Sequence, residues 1–502
     1  MSLHPESKIL IIGSGVFGLS TALWLARSGY RHVTVFDMQD TESVGYDPGA
    51  GIKSASADIN KIIRFSYGGE IEYQRLASQA AEIWEEWNRE IASLAAEREE
   101  ELPEVLRRGE RRLWHRCGFL RMCAGSELTD IEIQTLRNME KEGIRDTQFR
   151  SDDEAEARRE IGVNERGSSK AKFSHLSLDV ERAVRSGWAH KLDVCGRRER
   201  FGVHKAVLDS SAGYTVAYKA CAWTQQLARK AGVEFILHPA SGKVVDISTT
   251  TGDRSIIRTA DGMIHEGDLV VVAGGGWTAK LLPEADGLIE TTAGSVVTIQ
   301  LPKDRLDLWD RFSPENFPVV TWGMYEGKDI YSFPRDENGV IKIGFRRTKW
   351  TSYQDVVGKR ISVPKEVHAG ETNIPIPALE AIKEYISLNL PELAELGLSS
   401  AWLCWYTDSI DNSFVVDFVP GRSRVAICSG GSGHGFKFLP ILGREVVKIL
   451  EGKGDQTVYG RMWKWRTSTV GKRNGLEEGE EGPRVLEKQE MASWEDWDLS
   501  AF

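Results

Sequence analysis

No apolar run in the 502-residue chain approaches the roughly 20 residues that a membrane-spanning helix needs. The cysteines are few and scattered: Cys117, Cys123, Cys195, Cys221, Cys404 and Cys428, with no C-x-x-C pair among them. That spacing argues against a zinc site and for free thiols, so no metal is expected. An excess of basic residues is also missing. The net charge is -10, which gives no general affinity for nucleic acid or an anionic membrane. No secretory leader is read, because residues 9–12 form a strand with no cleavage pattern after them, and the last three residues are not a peroxisomal tripeptide. A cytoplasmic protein is therefore expected. Internal repeats are absent, and the length suits two or three domains with real cores.

What the chain does have is a strand, a glycine loop, a helix and a second strand within residues 9–37. Gly13, Ser14, Gly15, Val16, Phe17 and Gly18 spell G-x-G-x-x-G, and Asp37 ends the second strand. Gly13 allows the tight turn, Gly15 lets a pyrophosphate approach the backbone, and Gly18 lets the helix lie close on the strand. The helix N-terminus faces the phosphates, and Asp37 can accept hydrogen bonds from a ribose. In this context the motif points to a dinucleotide, without choosing between FAD and NAD. An ordinary glycine turn is the alternative.

Residues 38–53 read as a loop. The stretch SASADINKIIRFSY then brings Lys61, Arg64 and Tyr67 together at helix-like or tight-turn spacing. Leu76, Ala77, Ala80, Trp84, Trp87 and Ile91 recur at helical intervals and read as core. The charge run 97–112 reads as a solvated helix end or insertion, 113–122 as a strand, 126–142 as a helix with a serine cap, and 150–172 as polar surface. A helix, a glycine cap and a buried strand at 233–237 follow, then a small sheet at 244–247 and 255–260. DLVVVAGGGW at 268–277 is a buried strand running into glycines. Strands are expected at 295–301, 319–322, 330–333, 340–345, 402–407, 414–418 and 424–428. Helices are expected at 389–396 and 436–450, and the polar residues after Gly452, with an acidic-glycine run at 477–482, read as a wrapped tail. Nucleotide-binding pieces at the start, middle and end imply a discontinuous Rossmann-type domain with a second domain inserted twice.

Several motifs together carry a family resemblance: IIGSGVFGLSTALWLARSGY, ADINKIIRFSYG, VVVAGGGWT, IYSFP followed by GVIKIGF, AWLCWYTDSIDNSFVVDF and CSGGSGHGFKFLP. Over residues 8–452 the chain resembles the FAD-dependent amine oxidases that include monomeric sarcosine oxidase, pipecolate oxidase and the fungal fructosyl-amino-acid oxidases (amadoriases). The tail is similar to that of the amadoriases in particular. The resemblance implies an α/β fold: a discontinuous Rossmann-type FAD-binding domain of residues 1–95, 205–285 and 400–452, and a β-sheet-rich substrate domain, α+β in character, of residues 96–204 and 286–399. Residues 453–502 form the tail.

The resemblance also implies site residues. Cys404 stands where the family links the 8α-methyl of FAD to sulfur; a buried inert thiol is the alternative. Gly433, His434, Gly435 and Phe436 lie in the glycine run whose N–H groups face the pyrimidine side of the flavin, and Ser54 is a further cofactor contact. His434 is equally a structural imidazole. Lys437 and Arg64 match the pair that holds the substrate carboxylate; surface cations are the alternative. Lys342, in an otherwise apolar strand, matches the lysine that activates oxygen over the flavin N5 side, or is a strand residue facing solvent. Lys61 matches a second flavin-side cation, and Tyr331 a tyrosine of the substrate cavity. Arg346 falls where sarcosine oxidases have histidine, which points to a larger or additionally polar substrate.

The expected activity is a covalent-FAD oxidation of a secondary-amine amino acid to an imine, with O2 reduced to H2O2 by a monomer. An alternative keeps that oxidation and traps the iminium within the same molecule to close a ring, as in fungal secondary metabolism. A non-catalytic dinucleotide-binding protein and a nicotinamide dehydrogenase are the readings from other classes. Neither needs Cys404, Lys342 and Lys437 together.

Overall fold

A computed structural model describes residues 3–50, 54–151, 177–202, 204–249, 254–365, 373–467 and 478–499. Its first layer is a six-stranded sheet in the order Val415–Val419, Arg422–Ser429, Leu269–Val272, Lys8–Ile12, His32–Asp37, Glu234–Leu237. All neighbours are parallel except the Val415–Val419 edge. The central strands are buried on both faces, which is why they read as continuous apolar runs. Helix Val16–Arg27 packs on this sheet. A Cβ at Gly18 would run into the Gly13 carbonyl, so glycine there sets how closely helix and strand approach. Glu234–Leu237, expected as buried, is a half-exposed edge.

The second layer is an eight-stranded mixed sheet in the order Ser400–Ser409, Ile289–Gln300, Val340–Trp350, Ile330–Ser332, Val319–Trp322, Phe119–Met122, Ala206–Asp209, Gln148–Arg150. Ala206–Asp209 and Ser400–Ser409 thus pair here, although the sequence groups their segments with the nucleotide-binding part. A three-stranded ribbon of Asn60–Ile63, Gly213–Val216 and Trp114–His115 joins the layers. Helix Ile71–Glu97 buries the predicted apolar stripe, and the small antiparallel sheet lies at Val244–Thr249, Ser255–Thr259 and Ile264–Gly267. No helix among the described residues is long and apolar enough to cross a membrane.

Several local expectations need correction. Residues 113–122 are two strands in two sheets, divided at Gly118, whose φ of 89° turns the chain. Residues 60–63 form a strand, not a helix-like turn. The helix expected at 126–142 is Asp130–Lys141, capped by Thr129 and not by Ser126. In place of a helix at 389–396 the chain forms Ile376–Asn389, followed by a 3-10 segment at Pro391–Leu396. The prolines at its start are tolerated because first-turn N–H groups have no helical partner. The predicted 436–450 helix is a single turn, Phe436–Phe438, and then Leu442–Leu450. Pro440 between them has no N–H to continue the ladder. The 97–112 charge run is pinned by buried Leu102 and Leu106. Of residues 150–172, only 150 and 151 are among the described ones, and residue 477 of the acidic run is outside them.

Described residues beyond Gly452 pack against both layers. Trp463 is fully buried against Tyr459 and Phe414, while Thr351–Val485 and Pro375–Met491 bridges tie later residues to the second layer. Trp463→Ala is expected to lower stability by about 3–5 kcal/mol through the cavity it leaves. Trp494→Ala, at an exposed position, should cost within about 0.5 kcal/mol. Chemical unfolding of both variants makes the comparison.

Candidate active site

A cavity of about 1230 Å³ runs from the Gly13–Gly15 loop to Lys437 and opens beyond Tyr325. That exceeds the roughly 300–1,000 Å³ of an ordinary small-ligand pocket. At its first end Asp37 accepts the Ser14 N–H at 2.6 Å, the Ser14 hydroxyl at 2.9 Å and the Gln39 N–H at 2.9 Å. Burial pushes the Asp37 carboxyl up, against these donors. The helix Val16–Arg27 starts with no side-chain cap and no acid in its first turn, so its N–H groups remain available to an anion. Val16 and Phe17 line the wall, Ser54 bridges to Trp405, and Gly18 stands behind the loop as packing.

Midway, four polar side chains converge. Strand Ser400–Ser409 carries Cys404 opposite Gly294, and Lys61 Nζ lies 3.8 Å from Cys404 Sγ. Lys61 also reaches Asp58 Oδ2 at 2.5 Å. Lys342 Nζ lies 2.7 Å from Asp58 Oδ1 and donates to the Asn60 carbonyl at 2.9 Å. Asp58 and Lys342 are each 1% exposed, which excludes a solvent-facing lysine. Burial alone would raise the Asp58 carboxyl; Lys342 and Lys61 overcome it and hold it at about 2. Burial brings Lys342 down to about 8 against the pull of Asp58. It also works against the Lys61 charge, but there Asp58 prevails and holds the ammonium above its ordinary value. Tyr331 lines the same wall, its phenol pushed up by burial.

At the second end, the turn Phe436–Phe438 presents Lys437, 3% exposed. Its ammonium donates to the Tyr67 hydroxyl at 2.9 Å and to the His434 carbonyl at 2.7 Å. His434 Nε2 lies 2.8 Å from the Asn412 carbonyl and must donate there, leaving Nδ1 to accept from Tyr67 at 3.2 Å. Burial, then Lys437, pushes the imidazole well below its ordinary value, so it is neutral. Arg64 lies over the Tyr67 ring at 4.4 Å and donates to the Ser66 carbonyl. Among the described residues no carboxylate pairs with Lys437 or Arg64. Burial, with Arg64 and Arg346 nearby, pushes Lys437 well down.

Arg346 is differently placed. It donates to the Tyr406 hydroxyl at 3.0 Å, Asp408 at 3.1 Å and the Ser432 carbonyl at 2.7 Å. Its guanidinium lies so close over Gly433 that no Cβ fits there, and Gly433 has φ 68°. Arg346 therefore braces the glycine turn that holds Gly433, His434 and Gly435.

The structure brings every predicted site residue to this cavity except Gly18. Sequence reasoning missed Ser14, Asp58, Tyr406 and Asp408. Ser14 and Asp58 sat inside quoted motifs; an acid three residues from a flavin-side lysine was the available signal for Asp58. Tyr406 and Asp408 also sat inside a quoted motif, but carried no signal of their own, because their partner Arg346 is remote in sequence.

The site fits FAD. An open helix N-terminus meets the glycine loop, a cysteine faces the middle, and a glycine turn before Lys437 closes the far end. Residues 8–449 match the family described as "FAD dependent oxidoreductase". The L-saccharopine oxidase of Schizosaccharomyces pombe is 26% identical over 481 residues, covering 91% of this chain and 93% of its own. The monomeric sarcosine oxidase of Streptomyces avermitilis is 29% identical over 196 residues, covering 38% of this chain and 46% of its own. Amadoriase II, a deglycating fructosamine oxidase of Aspergillus fumigatus, superposes with a TM-score of 0.68 at 24% identity, covering 99% of this chain and 100% of that one, and so shares the fold. A match over nearly the whole chain, on a fold and cavity that suit the cofactor, means that this protein belongs to the FAD dependent oxidoreductase family.

Proposed function

We propose that the protein oxidises the C–N bond of an N-substituted α-amino acid to an imine, with FAD attached to Cys404 and O2 as oxidant. Residues 1–95, 205–285 and 400–452 would hold the cofactor, and 96–204 and 286–399 the substrate. The observation that carries this reading is Lys437, a buried lysine beside Arg64 whose hydrogen bonds go to a phenol and a carbonyl, with no carboxylate in ion-pair contact among the described residues. A buried lysine beside a half-buried arginine favours an anion, and a substrate carboxylate supplies it. L-saccharopine, sarcosine and N-methyl-L-tryptophan, which name the oxidases this chain is similar to, are all N-substituted amino acids.

When bound, FAD would supply a two-electron acceptor for a hydride equivalent, one that oxygen can reoxidise. The substrate loses that hydride from carbon and a proton from nitrogen; O2 gains two electrons and two protons to become H2O2. Arg64 and Lys437 hold the carboxylate, with Tyr67 and His434 fixing the lysine. Lys342 supplies positive charge where oxygen becomes anionic. Lys61, 3.8 Å from Cys404 Sγ, offers the counter-charge that a sulfur nucleophile needs. The fate of the imine, hydrolysis or capture within the same molecule, is read from the product.

Four outcomes are expected. Acid-precipitated protein stays yellow, and its flavin peptide contains Cys404; Cys404→Ser releases all its FAD on denaturation. Full release from the wild type would refute the linkage. Lys342→Met is reduced by substrate at a near-normal rate but reoxidised on the order of 10²–10³-fold more slowly in stopped flow. Lys437→Ala weakens substrate binding and slows flavin reduction together. The decarboxylated amine should reduce the wild type far more slowly than the amino acid; equal rates would sink the carboxylate clamp.

A further inference from the structure

Among the described residues Asp58 is the one acid in contact with the two lysines at the middle of the cavity, and its position is fixed from several sides. The Tyr218 N–H donates to its carbonyl at 3.1 Å and the Ala217 N–H to the Ile59 carbonyl at 3.2 Å, both from the start of helix Ala217–Lys230. The Ile59 N–H donates to Asp58 Oδ1 at 2.7 Å. With main chain and side chain both held, the carboxylate has no freedom to follow a moving lysine. Its partners come from different elements. Lys61 is three residues on in the ribbon, and Lys342 stands in strand Val340–Trp350 of the eight-stranded sheet, opposite Thr298.

We propose that Asp58 is a positioning residue for the cofactor side of the site: it fixes the Lys342 ammonium on one oxygen and the Lys61 ammonium on the other, and so keeps both charged. The inference rests on the reading of Lys342 given above. One carboxylate between two ammoniums leaves one net positive charge in a desolvated place. Without Asp58 the two ammoniums would face each other unpaired, and one would lose its proton. Lys342 is the one to lose it, because its side chain is 1% exposed against 19% for Lys61. The other groups around Lys342 do not replace the acid. Lys61 opposes its charge; Cys404, in the linkage proposed above, is an uncharged thioether; Tyr331, near Lys61, is a phenol held neutral by burial; and Phe333 offers only a ring at 5.1 Å.

The test compares wild type, Asp58→Asn, Asp58→Glu and Lys342→Met holoenzymes. Each is reduced anaerobically with dithionite and mixed with oxygen between about pH 5 and pH 10. In the wild type the reoxidation rate should fall as pH rises through about 8. In Asp58→Asn the fall should come at least about one pH unit lower, with the wild-type rate approached at the acid end. Asp58→Glu keeps the charge and displaces it, so its midpoint should move the same way by less. That variant carries the test if Asp58→Asn does not fold.

The second readout is the thermal midpoint against pH, which needs no turnover. A lysine with a depressed folded pKa binds fewer protons in the folded than in the unfolded state, so stability rises with pH from the folded value to the ordinary lysine value. That rise opens near 8 in the wild type and should open lower in Asp58→Asn. Unchanged rate midpoints and superimposable thermal profiles would overturn the proposal. If Lys342→Met reoxidises as fast as the wild type, the oxygen role of Lys342 falls, and the thermal profile still decides on Asp58.

Discussion

Buried positive charge with too few anions is the constraint that shapes this molecule. An ammonium taken out of water is tolerated only when something nearby answers it. The cavity answers its cations unequally. Asp58 serves Lys61 and Lys342, and Asp408 serves Arg346 and Lys349. Lys437 and Arg64 receive a phenol, carbonyls and an aromatic face. The gradient runs from cations neutralised in part by an ion pair to cations answered by neutral groups, and the scaffold is arranged to keep it so. Helix Ala217–Lys230 pins the Asp58 backbone, and Thr292 donates to the second oxygen of Asp408 at 2.6 Å.

The two sheets divide the work by their chemistry. The parallel sheet is apolar on both faces and ends in a glycine turn, so it offers backbone N–H groups and little side-chain charge. The mixed sheet places Lys342 and Arg346 on one strand, Tyr331 on the next, and Cys404 two strands away across Ile289–Gln300, where the register decides which side chains face the cavity. The ribbon at Asn60–Ile63 brings Lys61 to the joint. Only where these three pieces meet do a thiol, two ammoniums and a carboxylate come within contact of one another.

Much of this was legible in the sequence, for identifiable reasons. The 9–37 unit is local, so its strand, turn and helix could be read from spacing alone. Lys342 stood out because a charge in an apolar strand is costly. Cys404, Lys437 and Arg64 were readable only through a resemblance, since a lone thiol or a lone cation has no local signature. Asp58 escaped because an acid beside a lysine usually means a solvated pair; its importance comes from Lys342, distant in the chain. Helix Ile376–Asn389 escaped because prolines at its start look like breakers until they are seen to occupy the first turn. The division at Gly118 needed the φ value, and Pro440 broke a helix whose apolar pattern ran on through it.

The place of Cys404 in a long ladder has one more consequence. It sits in the middle of ten consecutive residue pairs between Ser400–Ser409 and Ile289–Gln300, facing a glycine that takes up no room. Anything tied to that sulfur inherits the stiffness of a sheet, and its drift over time is that of the ladder. A flavin tied there, as proposed, would take its position from the ladder and not from the loops that line the rest of the cavity.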